Sequence, residues 1–295
     1  MSFKKASIFS ALSLSFLLVG CSDKEETQNF DSVSEAVNYT ITGIEPGAGI
    51  SESTHNVLNE YENLTGWDIE ESSTAGMLAL LDEAIKNEKP IVVTGWAPHW
   101  KFEDYDLKFL DDPKNVYGGT ESIHTLARLN FDRDMPNVYK ILDAFHWELD
   151  DMQVVIAEGE KSSFEEAAEN WVMSNEEKVN GWLEGTEQGN GEEVRLVSVP
   201  WESEMASANV VKTVLTQRGY NVTLTEVDPA VMFQAVATNA ADVTVAPWLP
   251  TTHQSFYESH KDNFIDLGEN MTGARSGLVV PAYVDIDSIE DLEPK

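Results

Sequence analysis

Three tryptophans in this 295-residue chain stand at the ends of apolar runs. Trp96 closes PIVVTGW, Trp201 follows VRLVSVP, and Trp248 follows ADVTVAP. Each run is short and rich in β-branched residues, the pattern of a buried strand. Pro247 and Pro250 lack the N–H that a ladder needs, so the strand before Trp248 should stop at the prolines. Ligands of open α/β sheets sit beyond the carboxyl ends of the strands. Indole faces arranged there as a box attract a quaternary ammonium, which has no hydrogen bond to give. Each face contributes about 0.5–2 kcal/mol, and three supply much of a micromolar affinity of roughly −8 kcal/mol. Core packing accounts readily for one such tryptophan and poorly for three at equivalent strand edges. Trp67, Trp147, Trp171 and Trp182 lie inside helical or strand patterns and read as core; Trp100 fits either reading.

A zwitterion needs an anion site as well. GIEPGAGI ends a strand and opens a helix at Gly49 and Ile50, whose N–H groups could hold a carboxylate with help from the helix dipole. His253, five residues beyond Trp248, could donate to the same carboxylate. Taken alone, GAG is equally a turn, and a single histidine is more often a surface or core residue. The spacing is neither GxGxxG nor GxxxxGK[ST], which argues against a nucleotide. There is no GxSxG and no HExxH, and His99, His124 and His253 have no metal spacing. With 52 acids a close carboxylate pair arises by chance. The expectation is a binding protein with no catalytic residues, no metal and no cofactor.

The charge narrows the partners. Acids outnumber Lys and Arg 52 to 19, a net −33. That argues against nucleic acid and against docking on anionic lipid. It fits a solvated, self-repelling surface, or adaptation to a saline exterior where screening blunts the repulsion. MSFKK followed by ASIFSALSLSFLLVG reads as a signal peptide over residues 1–20, too short for a comfortable membrane span. It ends in LVGC, which resembles a bacterial lipobox, with Cys21, the only cysteine, as the lipidated residue and anchor to the cell membrane. No thiol then remains for a disulfide, catalysis or metal. Cleavage before Cys21 removes Lys4 and Lys5, so the mature chain carries about −35 (−33 minus 2). Residues 21–36 read as a polar tether.

The elements that must position the tryptophans alternate. NYTITGI, WDIEES and PIVVTGW read as strands, separated by helices over ISESTHNVLNEYENL and AGMLALLDEAIKNE. Residues 131–186 are mostly helical. VRLVSVPW, YNVTLTEV and DVTVAPW then repeat the strands, with helices over SEMASANVVKTVLTQRG, ending at Gly219, and PAVMFQAVATNA. IVVTGWAP answers VTVAPWLP at an offset of 152, LKFLDD answers DNFIDL, and YGGTESIHTLARL answers MTGARSGLVVPAY. Alternation of this kind predicts parallel-rich sheets flanked by helices. The fold class expected is α/β in two lobes facing a ligand cleft. Lobe 1 takes residues 37–118 plus 286–295, and lobe 2 takes 119–285.

ITGIEPGAGI, VVTGWAPHW, LKFLDDPKN, VPWESEMAS, VAPWLPTTH and MTGARSGLVVPAYVDIDSIEDL together resemble the glycine betaine family of ABC-transporter substrate-binding proteins, over nearly all of the mature chain. The resemblance implies a two-lobed periplasmic-binding-protein fold and a monomer. It implies a trimethylammonium cage of Trp96, Trp201 and Trp248, and a carboxylate site of Gly49, Ile50 and His253. It further implies delivery of glycine betaine to an ABC permease and its ATPase for osmoprotection. Proline betaine, choline, carnitine and dimethylsulfoniopropionate are the alternative ligands; choline would leave the carboxylate donors unpaired. The motif order resembles the lipid-anchored members, and the halves come in the opposite order in others. That circular relation places SIEDLEPK in the lobe of ITGIEPGAGI.

Overall fold

The computed structural model describes residues 30–295; the signal peptide, Cys21 and most of the expected tether lie outside the described residues. The tether stops sooner than the polar composition suggests. Val33–Ala36 forms a helical turn whose Ser32 accepts the N–H of Glu35, and the buried Ser34 hydroxyl accepts the N–H of Glu293.

Ten strands follow in chain order: β1 (Thr40–Thr42), β2 (Asp68–Glu70), β3 (Val93–Ala97), β4 (Leu107–Phe109), β5 (Thr120–Arg128), β6 (Glu193–Ser198), β7 (Asn221–Glu226), β8 (Val243–Thr244), β9 (Trp248–Leu249) and β10 (Phe264–Pro281). They form one sheet path, β2-β1-β3-β10-β5-β8-β6-β7, with β4 beside β10 and β9 beside β5. Each end of the path is parallel, β2-β1-β3 in the first half and β8-β6-β7 in the second. The sheet is nevertheless mixed, where alternation predicted a parallel-rich one. β5 and β10 are antiparallel to each other and to every other strand they pair with.

These two long strands exchange places between the two halves of the repeat. β5 leaves the first half and pairs with β8 and β9, while β10 leaves the second half and pairs with β3 and β4. The internal repeat is thus visible in three dimensions, since YGGTESIHTLARL and MTGARSGLVVPAY supply the two exchanged strands. β10 belongs to both halves. Its Phe264–Arg275 stretch pairs with β5 through three register shifts, and Arg275–Val279 pairs with β3. The C-terminal segment is tied to the first half: Asn63 donates to the carbonyls of Ile289 and Leu292, and the Trp67 indole N–H donates to that of Glu293.

The helices arise where the apolar period becomes 3.6 residues. Helix Gly49–Glu60 buries Ile50, Ser53, Thr54 and Val57, one face at spacings of three and four. Helix Glu202–Gln217 ends in a Schellman closure. The N–H of Tyr220 bonds the carbonyl of Leu215, the N–H of Gly219 bonds that of Thr216, and Gly219 takes φ +97°. Between the halves of the repeat, Trp147, Trp171 and Trp182 are buried against one another, with Trp147 edge-on to Trp171 at 5.4 Å between ring centres. With buried Trp67 they are core as expected, although Trp67 and Trp147 sit in connecting segments and not in helices or strands.

Candidate ligand site

One cavity gathers all six residues expected to bind a ligand. Trp96, Trp201 and Trp248 line it together with Gly49, Ile50 and His253, and Ile44, Glu204, Thr252 and Ser276 complete the wall. Its volume of about 30 Å³ is roughly two to three times what admits a single water, so it suits a small solute. Six segments reach it: the loop after β1, the start of helix Gly49–Glu60, the end of β3, the start of helix Glu202–Gln217, β9 with the loop after it, and β10.

The two tryptophan loops share a local geometry. Ala97–Pro98 and Leu249–Pro250 are both cis, each one residue beyond its tryptophan. Trp248 departs from the expected position just past a strand end. Pro247 interrupts the ladder after β8, and Trp248 then pairs with Ile123 as a short strand of its own. Trp201 caps helix Glu202–Gln217, three residues beyond β6. The rings of Trp96 and Trp201 lie 6.4 Å apart and tilted by 50°, two walls of an open box. Trp96 and Trp248 are buried, and Trp201 is partly exposed.

The wall of Gly49, Ile50 and His253 presents donors. Ala48 caps helix Gly49–Glu60 without a side-chain bond, and its carbonyl takes the N–H groups of Ser51 and Glu52. The N–H groups of Gly49 and Ile50 have no partner among the described residues, as expected for the first turn of a helix. Gly49 must be glycine, because a Cβ there would lie 2.1 Å from the carbonyl oxygen of Thr252. His253 is 1% exposed. Its Nδ1 accepts the N–H of Trp248 at 2.9 Å, so in the neutral ring the proton sits on Nε2. Nε2 is buried and has no partner among the described residues. Burial holds the His253 pKa down at about 3, so the ring is neutral at physiological pH and offers one N–H.

A buried carboxylate fixes this loop. Glu121, on β5 and 1% exposed, accepts the N–H groups of Thr251 and Thr252 at 3.0 and 2.8 Å and the hydroxyls of Thr252 and Ser276 at 2.5 and 3.2 Å. Glu121, Thr252, Ser276 and Glu204 escaped the sequence reading. No local signal marks them; SEMAS presents Glu204 as an ordinary acid at a helix start.

Behind Trp96 lies a second polar cluster. The Lys101 Nζ sits 4.1 Å from the Trp96 ring centre, and Lys101 is fully buried. Burial pushes its pKa down to about 7, against the attraction of Glu202. His99 packs edge-on to Trp96 at 4.8 Å, and its Nε2 faces Glu202 at 3.7 Å. Trp100 rests on His99 and Tyr105, outside the cavity wall. Among the described residues no cluster of His, Cys, Asp and Glu could hold a metal ion, and no helix is long and apolar enough to cross a membrane.

Known proteins share this chain's pattern. The family model for the substrate-binding domain of ABC-type glycine betaine transport systems matches residues 22–174 and 192–295. The glycine betaine/carnitine transport binding protein GbuC of Listeria monocytogenes is 47% identical over 264 residues, 88% of each chain. Among solved structures, lactococcal OpuAC in its closed, liganded conformation with glycine betaine is 44% identical, with a TM-score of 0.49 over 50% of this chain and 58% of that one. A choline-binding protein of an ABC transporter, in complex with choline, is 23% identical, with a TM-score of 0.47 over 63% of this chain and 61% of that one. Each of these two structural matches spans less than two thirds of the solved chain.

Proposed function

The chain belongs to the family of substrate-binding domains of ABC-type glycine betaine transport systems, and on that premise we propose that it captures glycine betaine outside the cell and delivers it to a membrane permease. The observation that carries this reading is the single cavity in which three indoles meet three unpartnered N–H donors. Trp96, Trp201 and Trp248 take the trimethylammonium group. Gly49, Ile50 and the Nε2–H of His253 take the carboxylate, and the buried, unpaired donor gains the bond it lacks. The donor set favours carboxylate-bearing ligands such as glycine betaine and carnitine over choline. Binding gives the molecule its role in transport, and the residues of the site point to recognition rather than to bond chemistry.

On this reading the lobes are residues 37–118 with 286–295 and residues 119–285, and closure of one on the other brings Gly49 against Thr252. We further assign Cys21 as the lipid anchor, on the strength of LVGC and of a family match that begins at residue 22. Calorimetric titration of the purified protein with glycine betaine, proline betaine and choline tests the function. Saturable binding of the betaines, stronger than that of choline and lost in Trp248→Ala, is expected. Silence for all three would overturn it.

A further inference from the structure

The cage contains a charge that the indoles do not account for. Glu204 lines the cavity beside Trp96, Trp201 and Trp248 and is only 3% exposed. It lies in the first turn of helix Glu202–Gln217, where the helix dipole favours an anion. One carboxylate oxygen, Oε2, accepts the Ser203 hydroxyl at 2.6 Å. No Lys or Arg forms an ion pair with Glu204 among the described residues. Its neighbour Glu202 faces away from the cavity, toward His99. A buried carboxylate without a cation is costly. A quaternary ammonium in the cage would meet it by Coulomb attraction alone, needing no hydrogen bond.

We propose that Glu204 is a ligand-contacting residue that supplies the counter-charge for the cationic head group, so that the cage selects for permanent positive charge and not only for a methylated shape. This rests on the ligand reading above and deepens it. The ligands favoured are quaternary ammonium and tertiary sulfonium compounds. An isostere of glycine betaine with an uncharged tert-butyl head, 3,3-dimethylbutanoate, fills the same space and offers the same carboxylate, yet its head gives Glu204 nothing.

The charge state of Glu204 adds a second readout. Burial, reinforced by Glu202, raises its pKa to about 7, against the Ser203 hydroxyl, its own backbone N–H and the nearby Trp248 indole N–H. A bound cation prefers the ionised form, so affinity should fall as pH drops through this range. Other groups around the cage are His253, held neutral by burial; Glu121, beneath Thr252 and Ser276; His99; and Lys101, behind Trp96. Protonation of Lys101 would also disfavour a cation on Trp96, so its contribution must be separated.

Titrate glycine betaine into the purified protein at pH 8, and titrate 3,3-dimethylbutanoate by competition, for the wild type and Glu204→Gln. Glutamine preserves the volume and can still accept from Ser203. Betaine should bind about tenfold or more weakly to the variant while the isostere is unchanged or improved, a difference of about 1.4 kcal/mol in preference. Equal losses for both ligands would mean a structural role and overturn the proposal, as would undiminished betaine binding. A wild type that binds no betaine would remove the ligand reading itself, and the proposal with it. The betaine affinity of the wild type should also decline between pH 8 and about pH 6, and the decline should persist in Lys101→Met, which removes the Lys101 contribution, and vanish when Glu204→Gln is added to it. A decline that survives in the double variant overturns the assignment. Should Glu204→Gln not fold, Ser203→Ala should move the midpoint of the decline upward, and an unmoved midpoint counts against Glu204.

Discussion

The imidazole and backbone N–H of His253 and the backbone of Trp248 close a two-bond ring. The N–H of Trp248 donates to His253 Nδ1 at 2.9 Å, and the N–H of His253 donates to the Trp248 carbonyl at 3.0 Å. The ring that fixes the indole at one end of the cavity therefore also fixes the tautomer of the donor at the other. The proposed cage residue and the proposed carboxylate donor, five positions apart in sequence, become one rigid unit.

From this follows a ligand-dependent effect of His253→Ala. Glycine betaine loses the Nε2–H donor, while choline has no carboxylate to lose it from. Betaine affinity should drop about tenfold, the scale of a hydrogen bond to a charged group, and choline affinity by several times less. Titration of the variant with both ligands checks this; equal losses would mean that His253 acts only by holding Trp248.

The cage makes a cruder prediction. Trp248→Ala removes a buried indole face and should weaken glycine betaine at least about tenfold, and Trp96→Ala and Trp201→Ala should follow, each taking one cation–π contact. Intrinsic fluorescence titration of each variant is sufficient. A variant that binds as tightly as the wild type places its tryptophan outside the cage.

Gly49→Ala tests the close approach of the helix start to the loop after β9. The added methyl would lie 2.1 Å from the Thr252 carbonyl oxygen and 2.8 Å from its Cγ2, distances at which backbone must move. Displacing Thr252 also pulls on Glu121, which holds that residue by both its N–H and its hydroxyl. Affinity for glycine betaine should fall by about tenfold or more, since small displacements of positioned donors are costly. Undiminished binding would show that the loop can yield without disturbing the donors.

The residues that could be read from sequence were those whose meaning is local. Trp96, Trp201 and Trp248 announced themselves by following β-branched runs, and Gly49–Ile50 by opening an amphipathic helix. Gly219 was legible as a helix stop for the same reason. What was hidden depends on contacts distant in sequence. Glu121 acquires its role only when β5 meets Thr252, 131 residues later, and Ser276, 155 residues later. Among 52 acids nothing local separates Glu121 and Glu204 from solvated ones. The antiparallel exchange of β5 and β10 was invisible because a strand's direction is set by its partners. The repeat itself could be read; which half each repeated strand joins could not.

The neutral state of His253 also has a signature in stability. Its pKa is about 3 when folded, through burial, against an ordinary value of 6.5. Between these values the unfolded chain binds the extra proton and the folded chain does not. By linkage, stability rises with pH across that window, so the contribution is complete above about pH 6.5 and is lost as pH falls toward 3. His253→Gln removes the titrating group, and glutamine can still present an N–H toward the cavity. The buried His99 is shifted in the same direction and remains in the variant, so the variant keeps part of the acid sensitivity. Thermal unfolding of both proteins at pH 7.5 and pH 5, without ligand, should show a smaller loss of Tm on acidification for His253→Gln. An identical loss in both would mean that His253 is protonated in the folded protein, and its Nδ1 could then no longer accept the N–H of Trp248.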